Sequence, residues 1–138
     1  MKKKVLIIDD ENRTRDFVKK MIDSFNLDLD VYTDGENVET GIEAINRIQP
    51  DIILLDIQMP DGTGFDVLNS IETKNFEVIF ITAYQEYAIK AIKFSALDYI
   101  LKSLRTILNR NFIRRLKSTP GAIEEIRICR RWRLLFSA

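Results

Sequence analysis

Residues 4–9 read Lys-Val-Leu-Ile-Ile-Asp, a short unbroken apolar run closed by a carboxylate. That is the pattern of a strand buried on both faces of a parallel sheet. Phe17, Val18, Met21, Ile22 and Phe25 then return at the spacing of one helical face, with Asn12 or Thr14 available as a cap. They predict a first helix ending near Asn26. Val31 and Tyr32 mark a short second strand, and Asp34-Gly35 punctuates the chain before Val38, Ile42, Ile45 and Ile48. These four predict a second helix stopped by Pro50. The pattern repeats: residues 51–56 predict a third buried strand, again closing on a carboxylate, and residues 59–64 a loop of turn formers. Phe65, Leu68 and Ile71 predict a third helix, residues 78–82 a fourth strand, Tyr87, Ala88, Ala91 and Ile92 a fourth helix, and residues 97–101 a fifth strand. Leu104, Ile107, Leu108 and Phe112 predict a closing helix, with Arg105, Arg110, Arg114 and Arg115 mostly on its outer side. Five strands alternating with helices imply a parallel sheet covered on both faces, because parallel strands need crossovers and such crossovers are helical.

Composition narrows the class. The 138 residues suffice for one compact domain, and 46% hydrophobic with 30% charged residues is the balance of a soluble globular chain. No apolar run approaches the roughly 20 residues needed to cross a bilayer, and the run behind Lys2, Lys3 and Lys4 is too short for a signal peptide. A cytoplasmic location is expected. The single cysteine, Cys129, cannot form an internal disulfide. The absence of histidine excludes a histidine base or ligand within this chain. The net charge of zero hides an asymmetry. Residues 1–102 carry 12 Lys and Arg against 19 Asp and Glu, a net of −7; residues 103–138 carry 9 against 2, a net of +7.

In an open sheet of this kind, ligands bind at the carboxyl ends of the strands. The first strand ends in Asp9-Asp10, the third in Asp56 and the fourth in Thr82, and the fifth is followed by Lys102. Three carboxylates, a hydroxyl and an ammonium therefore gather on one edge. Singly, each residue reads as a cap, a turn former or ordinary surface; together they form a site. Clustered carboxylates repel one another unless a cation sits among them, and a hard divalent ion with oxygen ligands, Mg²⁺ by preference, meets that need. The same arrangement suits phosphoryl transfer, which asks the protein mainly to position groups and neutralise charge. Asp56 is then the nucleophile, Asp9 and Asp10 hold the metal, and Lys102 and Thr82 neutralise and hydrogen-bond the phosphoryl oxygens.

Residues 5–11 (Val-Leu-Ile-Ile-Asp-Asp-Glu), 51–65 (Asp-Ile-Ile-Leu-Leu-Asp-Ile-Gln-Met-Pro-Asp-Gly-Thr-Gly-Phe), 81–84 (Ile-Thr-Ala-Tyr) and 96–102 (Ala-Leu-Asp-Tyr-Ile-Leu-Lys) resemble the receiver domains of two-component response regulators in order and spacing. The likeness covers residues 2–102. It implies an α/β, flavodoxin-like (CheY-like), doubly wound sheet of order 2-1-3-4-5, and makes Asp56 the phosphoacceptor. Asp10 and Asp56 become magnesium ligands, with Asp9 reaching the ion mainly through water and the main-chain carbonyl of Gln58 completing the protein's share. Thr82 and Lys102 keep the roles deduced above. Tyr99 matches the family's switch aromatic, and Gln58 and Tyr84 fall where the lifetime of the phosphoryl group is tuned. The implied partner is a sensor histidine kinase, and a homodimer through helix four, strand five and helix five is expected, without direct nucleic-acid or membrane contact by the receiver. Such a module is a signalling phosphoacceptor that assists its own phosphorylation and dephosphorylation, not a conventional enzyme. Residues 82–92 look like receivers attached to LytTR-type DNA-binding domains, whose output is transcription.

The likeness stops at Lys102. The family's usual proline after this lysine, joined by a cis bond, is Ser103 here, and a cis bond before serine costs roughly 3 kcal/mol relative to trans. A receiver unit over residues 1–117 is expected, followed by a basic tail over residues 118–138. That tail reads as a truncated or altered carboxyl end without an effector domain. Three other functions compete. A haloacid dehalogenase-type phosphatase needs two carboxylates two residues apart after one strand, whereas Asp9 and Asp10 are adjacent and Asp56 is elsewhere. A flavin module needs a Ser/Thr/Gly-rich loop where this chain has Asp-Asp-Glu-Asn-Arg. A receiver-like binding module independent of phosphorylation is favoured only by Ser103 and the tail.

Overall fold

The computed structural model describes residues 2–102 apart from Phe25, Leu27 and Thr73. The chain alternates strands β1 (Lys3–Ile8), β2 (Leu29–Gly35), β3 (Ile52–Leu55), β4 (Glu77–Thr82) and β5 (Asp98–Leu101) with helices α1 (Asn12–Ser24), α2 (Val38–Ile48), α3 (Gly64–Asn69) and α4 (Ala88–Lys93). The five strands form one sheet of order β2-β1-β3-β4-β5, and every pairing is parallel. This is the flavodoxin-like order expected from the sequence. Between β3 and α3, Gln58–Met59 and Gly62–Thr63 pair in a small antiparallel ladder. The closing helix, the bond before Ser103 and the basic tail lie outside the described residues, as does Phe25. Among the described residues no helix is long and apolar enough to cross a membrane.

Strand alternation divides the core into two layers, because successive side chains leave a strand on opposite faces. Leu6, Ile8, Ile53, Leu55, Val78, Phe80 and Tyr99 face one way and pack with Ala44 and Ile45 of α2, Phe65, Val67 and Leu68 of α3, and Ala88 and Ala91 of α4. Val5, Ile7, Ile52, Leu54, Ile79, Ile81 and Ile100 face the other and pack with Val18, Met21 and Ile22 of α1. Burial on both faces is why the strands read as unbroken apolar runs.

Two helices differ from the pattern read along the chain. On α1 the inward stripe is Arg15, Val18, Met21 and Ile22, whereas Phe17 is 39% exposed. At helical spacing Phe17 falls off the edge of the stripe centred on Val18 and Ile22, and the place a turn before Val18 goes to a charged side chain. On α4 the buried residues are Ala88 and Ala91, while Ile89 and Ile92 are exposed and Tyr87 stands half-buried before the helix.

Local chemistry fixes the helix ends nearest the sheet's carboxyl edge. Asn37 and Thr40 form a reciprocal capping box at the start of α2. The Asp61 carboxylate accepts the N–H groups of Val38 at 2.8 Å and Glu39 at 3.1 Å, and Gly41 N donates to the Asn37 carbonyl at 2.9 Å. The free donors of the first turn are thereby all satisfied. Those hydrogen bonds also hold the Asp61 carboxyl below its ordinary pKa. Gln49, in the left-handed conformation at φ 55°, ends α2 before Pro50. Thr63 and Asp66 form a second capping box on α3.

Gly64 is required by proximity. A Cβ there would lie 2.4 Å from the Asp56 carbonyl oxygen and 2.9 Å from Leu55 Cγ, and both neighbours belong to the buried end of β3. Gly64→Ala is therefore expected to lose about 1–3 kcal/mol of stability, read from the urea midpoint at constant m-value.

Candidate functional site

The functional side chains stand where the parallel ladder runs out. Asp56 N donates to the Ile8 carbonyl at 2.9 Å and Asp9 N to the Gly35 carbonyl at 3.0 Å, so each aspartate is fixed by the last rung of its strand. Asp9 is 3% and Asp56 5% exposed, whereas Asp10 and Glu11 lie in solvent. Thr82 ends β4 fully buried, and its carbonyl accepts the Lys102 N–H at 2.7 Å, which places the lysine at the same edge.

The Lys102 ammonium links the acidic residues. Its Nζ lies 2.9 Å from Asp56 Oδ2, 3.0 Å from Asp9 Oδ2 and 3.6 Å from Glu11 Oε1. Glu11 N donates to Asp9 Oδ1 at 2.9 Å, and Ile57 N donates to Asp56 Oδ1 at 2.7 Å. On each buried aspartate, one oxygen is held by the main chain and the other faces the ammonium.

The electrostatics follow from burial. Desolvation pushes the Asp9 carboxyl up from 3.8 to about 6, opposed by the Glu11 N–H and reinforced by the Asp56 charge. Burial also works against the Lys102 ammonium, but its hydrogen bond and attraction to Asp56, with those to Asp9, outweigh it and move its pKa upward. Lys102 therefore stays charged, while Asp9 is short of positive compensation.

Asp9, Asp10 and Glu11 each offer a carboxylate oxygen, all within 4.8 Å of one another. One buried and two exposed carboxylates, hard oxygen donors converging on one point, fit a hard divalent cation. Glu11 was not among the ligands expected from sequence; its signal was its place in the acidic run 9–11. Asp56 joins this group through the shared ammonium. Gln58 is exposed, and its side-chain amide donates to the Tyr87 hydroxyl at 2.7 Å, a partner that the sequence did not suggest.

The aromatic residues extend the site toward α4. Tyr99 is 3% exposed and packs on Phe80 at 6.1 Å between ring centroids. Its hydroxyl donates to the Tyr84 carbonyl. Burial, with the Glu86 charge, raises the phenol's pKa and keeps that proton in place. Tyr84 is exposed and meets Tyr87 edge-on, while Tyr84 N donates weakly to Thr82 Oγ1 at 3.4 Å. Thr82, Tyr84 and Tyr99 are thus joined by contacts that the sequence only implied.

Comparison with known proteins identifies the family and the fold. An uncharacterized response regulatory protein of Vibrio vulnificus is 38% identical over 117 residues, covering 84% of this chain and 48% of that protein. The sensory transduction protein LytT of Bacillus cereus is 39% identical over 101 residues, 72% of this chain and 41% of its own, in keeping with the LytTR-type likeness of residues 82–92. The chain spans about half the length, or less, of these curated relatives. The solved response regulator protein TrrA of Thermotoga maritima, in complex with Mg²⁺-BeF, matches with a TM-score of 0.69 at 26% identity, over 83% of this chain and 96% of that one. The family model described as the response regulator receiver domain matches residues 5–110, a span holding the sheet from Val5 onward and every side chain of the acidic edge, and the chain belongs to that family.

Proposed function

We propose that this chain is the phosphoacceptor module of a two-component response regulator, in which Asp56 takes a phosphoryl group from the phosphohistidine of a partner sensor kinase. One observation carries the reading: one half-buried ammonium, Lys102, lies 2.9 Å from Asp56 and 3.0 Å from Asp9 at the carboxyl edge of a parallel sheet. Phosphoryl transfer needs a carboxylate nucleophile next to fixed positive charge, and little else from the protein.

The Asp56 oxygen facing Lys102 attacks phosphorus; a P–O bond forms, the P–N bond to the kinase histidine breaks, and its electron pair leaves with the imidazole. Ile57 N–H fixes the other Asp56 oxygen and so orients the carboxylate. Lys102, freed from part of its pairing with Asp56, turns its charge to the phosphoryl oxygens, and the Thr82 hydroxyl donates to another of them. Asp9, Asp10, Glu11 and Asp56, with the Gln58 carbonyl, would hold Mg²⁺, which supplies positive charge to the phosphoryl oxygens when bound. Thr82 and Tyr99 form the switch, because movement of Thr82 toward the phosphoryl group alters the contacts around Tyr84 that hold the Tyr99 hydroxyl. Gln58 and Tyr84 border the acceptor and govern how long the acyl phosphate survives. The exposed Ile89 and Ile92 of α4 suit a dimer contact, and the likeness to the transcriptional regulatory protein BtsR of Escherichia coli, 35% identical over 102 residues, supports a transcriptional output.

Incubation with acetyl phosphate and Mg²⁺ is expected to add about one phosphoryl group per chain, seen by intact mass. Hydroxylamine removes an acyl phosphate, and a chelator prevents its formation. An unchanged mass under these conditions would overturn the proposal in favour of a binding module independent of phosphorylation.

A further inference from the structure

Arg15 is 5% exposed on the inward face of α1, and the acceptor chemistry does not use it. A guanidinium keeps its charge at any working pH and carries five N–H donors, so its burial is tolerated only with good partners. Its Nη1 donates to the Asp9 main-chain carbonyl at 2.6 Å. Its Nη2 donates to Asn12 Oδ1 at 3.1 Å and lies 3.3 Å from Glu36 Oε1. One side chain thereby joins the end of β1, the start of α1 and the turn between β2 and α2. The Asp9 carbonyl lies in the peptide leading into Asp10 and Glu11, whose carboxylates converge with that of Asp9. Three successive like charges oppose such convergence, so something must hold their backbone.

We propose that Arg15 is a positioning residue for divalent-cation binding: by gripping the Asp9 carbonyl, it fixes the backbone of residues 9–11 so that their carboxylates meet. The inference rests on the reading of the acidic edge as a Mg²⁺ site. It concerns the shape of the cation pocket, not the transfer step. Arg15→Met keeps the bulk of the stem and removes the fork. Arg15→Lys keeps charge but cannot span the same partners with one ammonium.

The test is titration with Mg²⁺ alone, without phosphoryl donor, followed by calorimetry and by the rise in thermal midpoint. Groups that orient metal ligands typically account for 10–100-fold in metal affinity, and half-saturation in Arg15→Met is expected to rise by about that factor. Glu36→Gln, which removes only the exposed ion pair, is expected to stay near wild type. At saturating Mg²⁺, Arg15→Met is expected to accept phosphoryl groups from acetyl phosphate at close to the wild-type rate, a split that general unfolding does not produce. If Arg15→Met lacks a cooperative unfolding transition, Arg15→Lys decides, with weakened Mg²⁺ binding as the supporting result. A wild-type chain that does not respond to Mg²⁺ removes the metal reading and this inference with it. A wild-type response equalled by the folded Arg15 variant overturns the inference alone.

Discussion

An Asp56→Asn chain incubated with acetyl phosphate and Mg²⁺ is expected to keep its unmodified mass while the wild-type chain gains a phosphoryl group. The substitution preserves shape: the amide oxygen can still accept from Ile57 N–H, and the edge of β3 remains buried. What it removes is the charged oxygen 2.9 Å from Lys102, the nucleophile of the proposed transfer. A neutral amide also relieves Asp9 of the Asp56 charge that helps to raise its pKa, while its oxygen can still accept from Lys102, and a cooperative unfolding transition checks that the variant is folded. Folding and reactivity are thereby separated. Equal modification of parent and variant would assign the acceptor to another residue, with Asp9 and Asp10 the first to examine by peptide mapping.

Lys102→Ala is expected to slow phosphoryl incorporation by about 10²–10³-fold at saturating Mg²⁺, the usual consequence of removing one preorganised stabiliser of developing charge. Initial rates by intact mass across a range of acetyl phosphate concentrations would show a loss mainly in the limiting rate. The same change leaves Asp9 and Asp56 facing each other without their shared ammonium. In the absence of Mg²⁺ the variant should therefore be less stable than the parent, and added Mg²⁺ should narrow the gap, because a second cation takes over the compensation. A rate within a few-fold of wild type would show that the lysine serves the resting fold alone.

The strands were legible because burial on both faces writes itself as a continuous apolar run, and their carboxyl ends carried the acidic residues into view. Asp9, Asp56, Thr82 and Lys102 were found at one edge by counting strands, with the order of the sheet supplied by family likeness. Helix α1 was misread at Phe17, because a charged side chain, Arg15, fills part of the buried stripe and periodicity counts only apolar residues. Asp9 and Asp10 were placed at this edge from sequence, but not the Glu11 carboxylate, which converges with theirs and lies one residue beyond the pair that the motif emphasises. The bond between Gln58 and Tyr87 joins residues 29 positions apart, and no local pattern announces a contact made only when two loops fold over the same edge. The change of character after Lys102 was visible in charge, but charge alone does not assign shape to residues 103–138.

Helix α2 does not own all the groups that start it. Two of its opening amides are held by Asp61, a residue that follows Asp56 by five positions and lies between the paired segments Gln58–Met59 and Gly62–Thr63. Any rearrangement around Asp56 that tugs on this loop must loosen a borrowed clasp at the start of α2, on the same face of the sheet as α3. Deuterium uptake at Val38 and Glu39 would register it, making a helix end remote from the chemistry a gauge of what happens there.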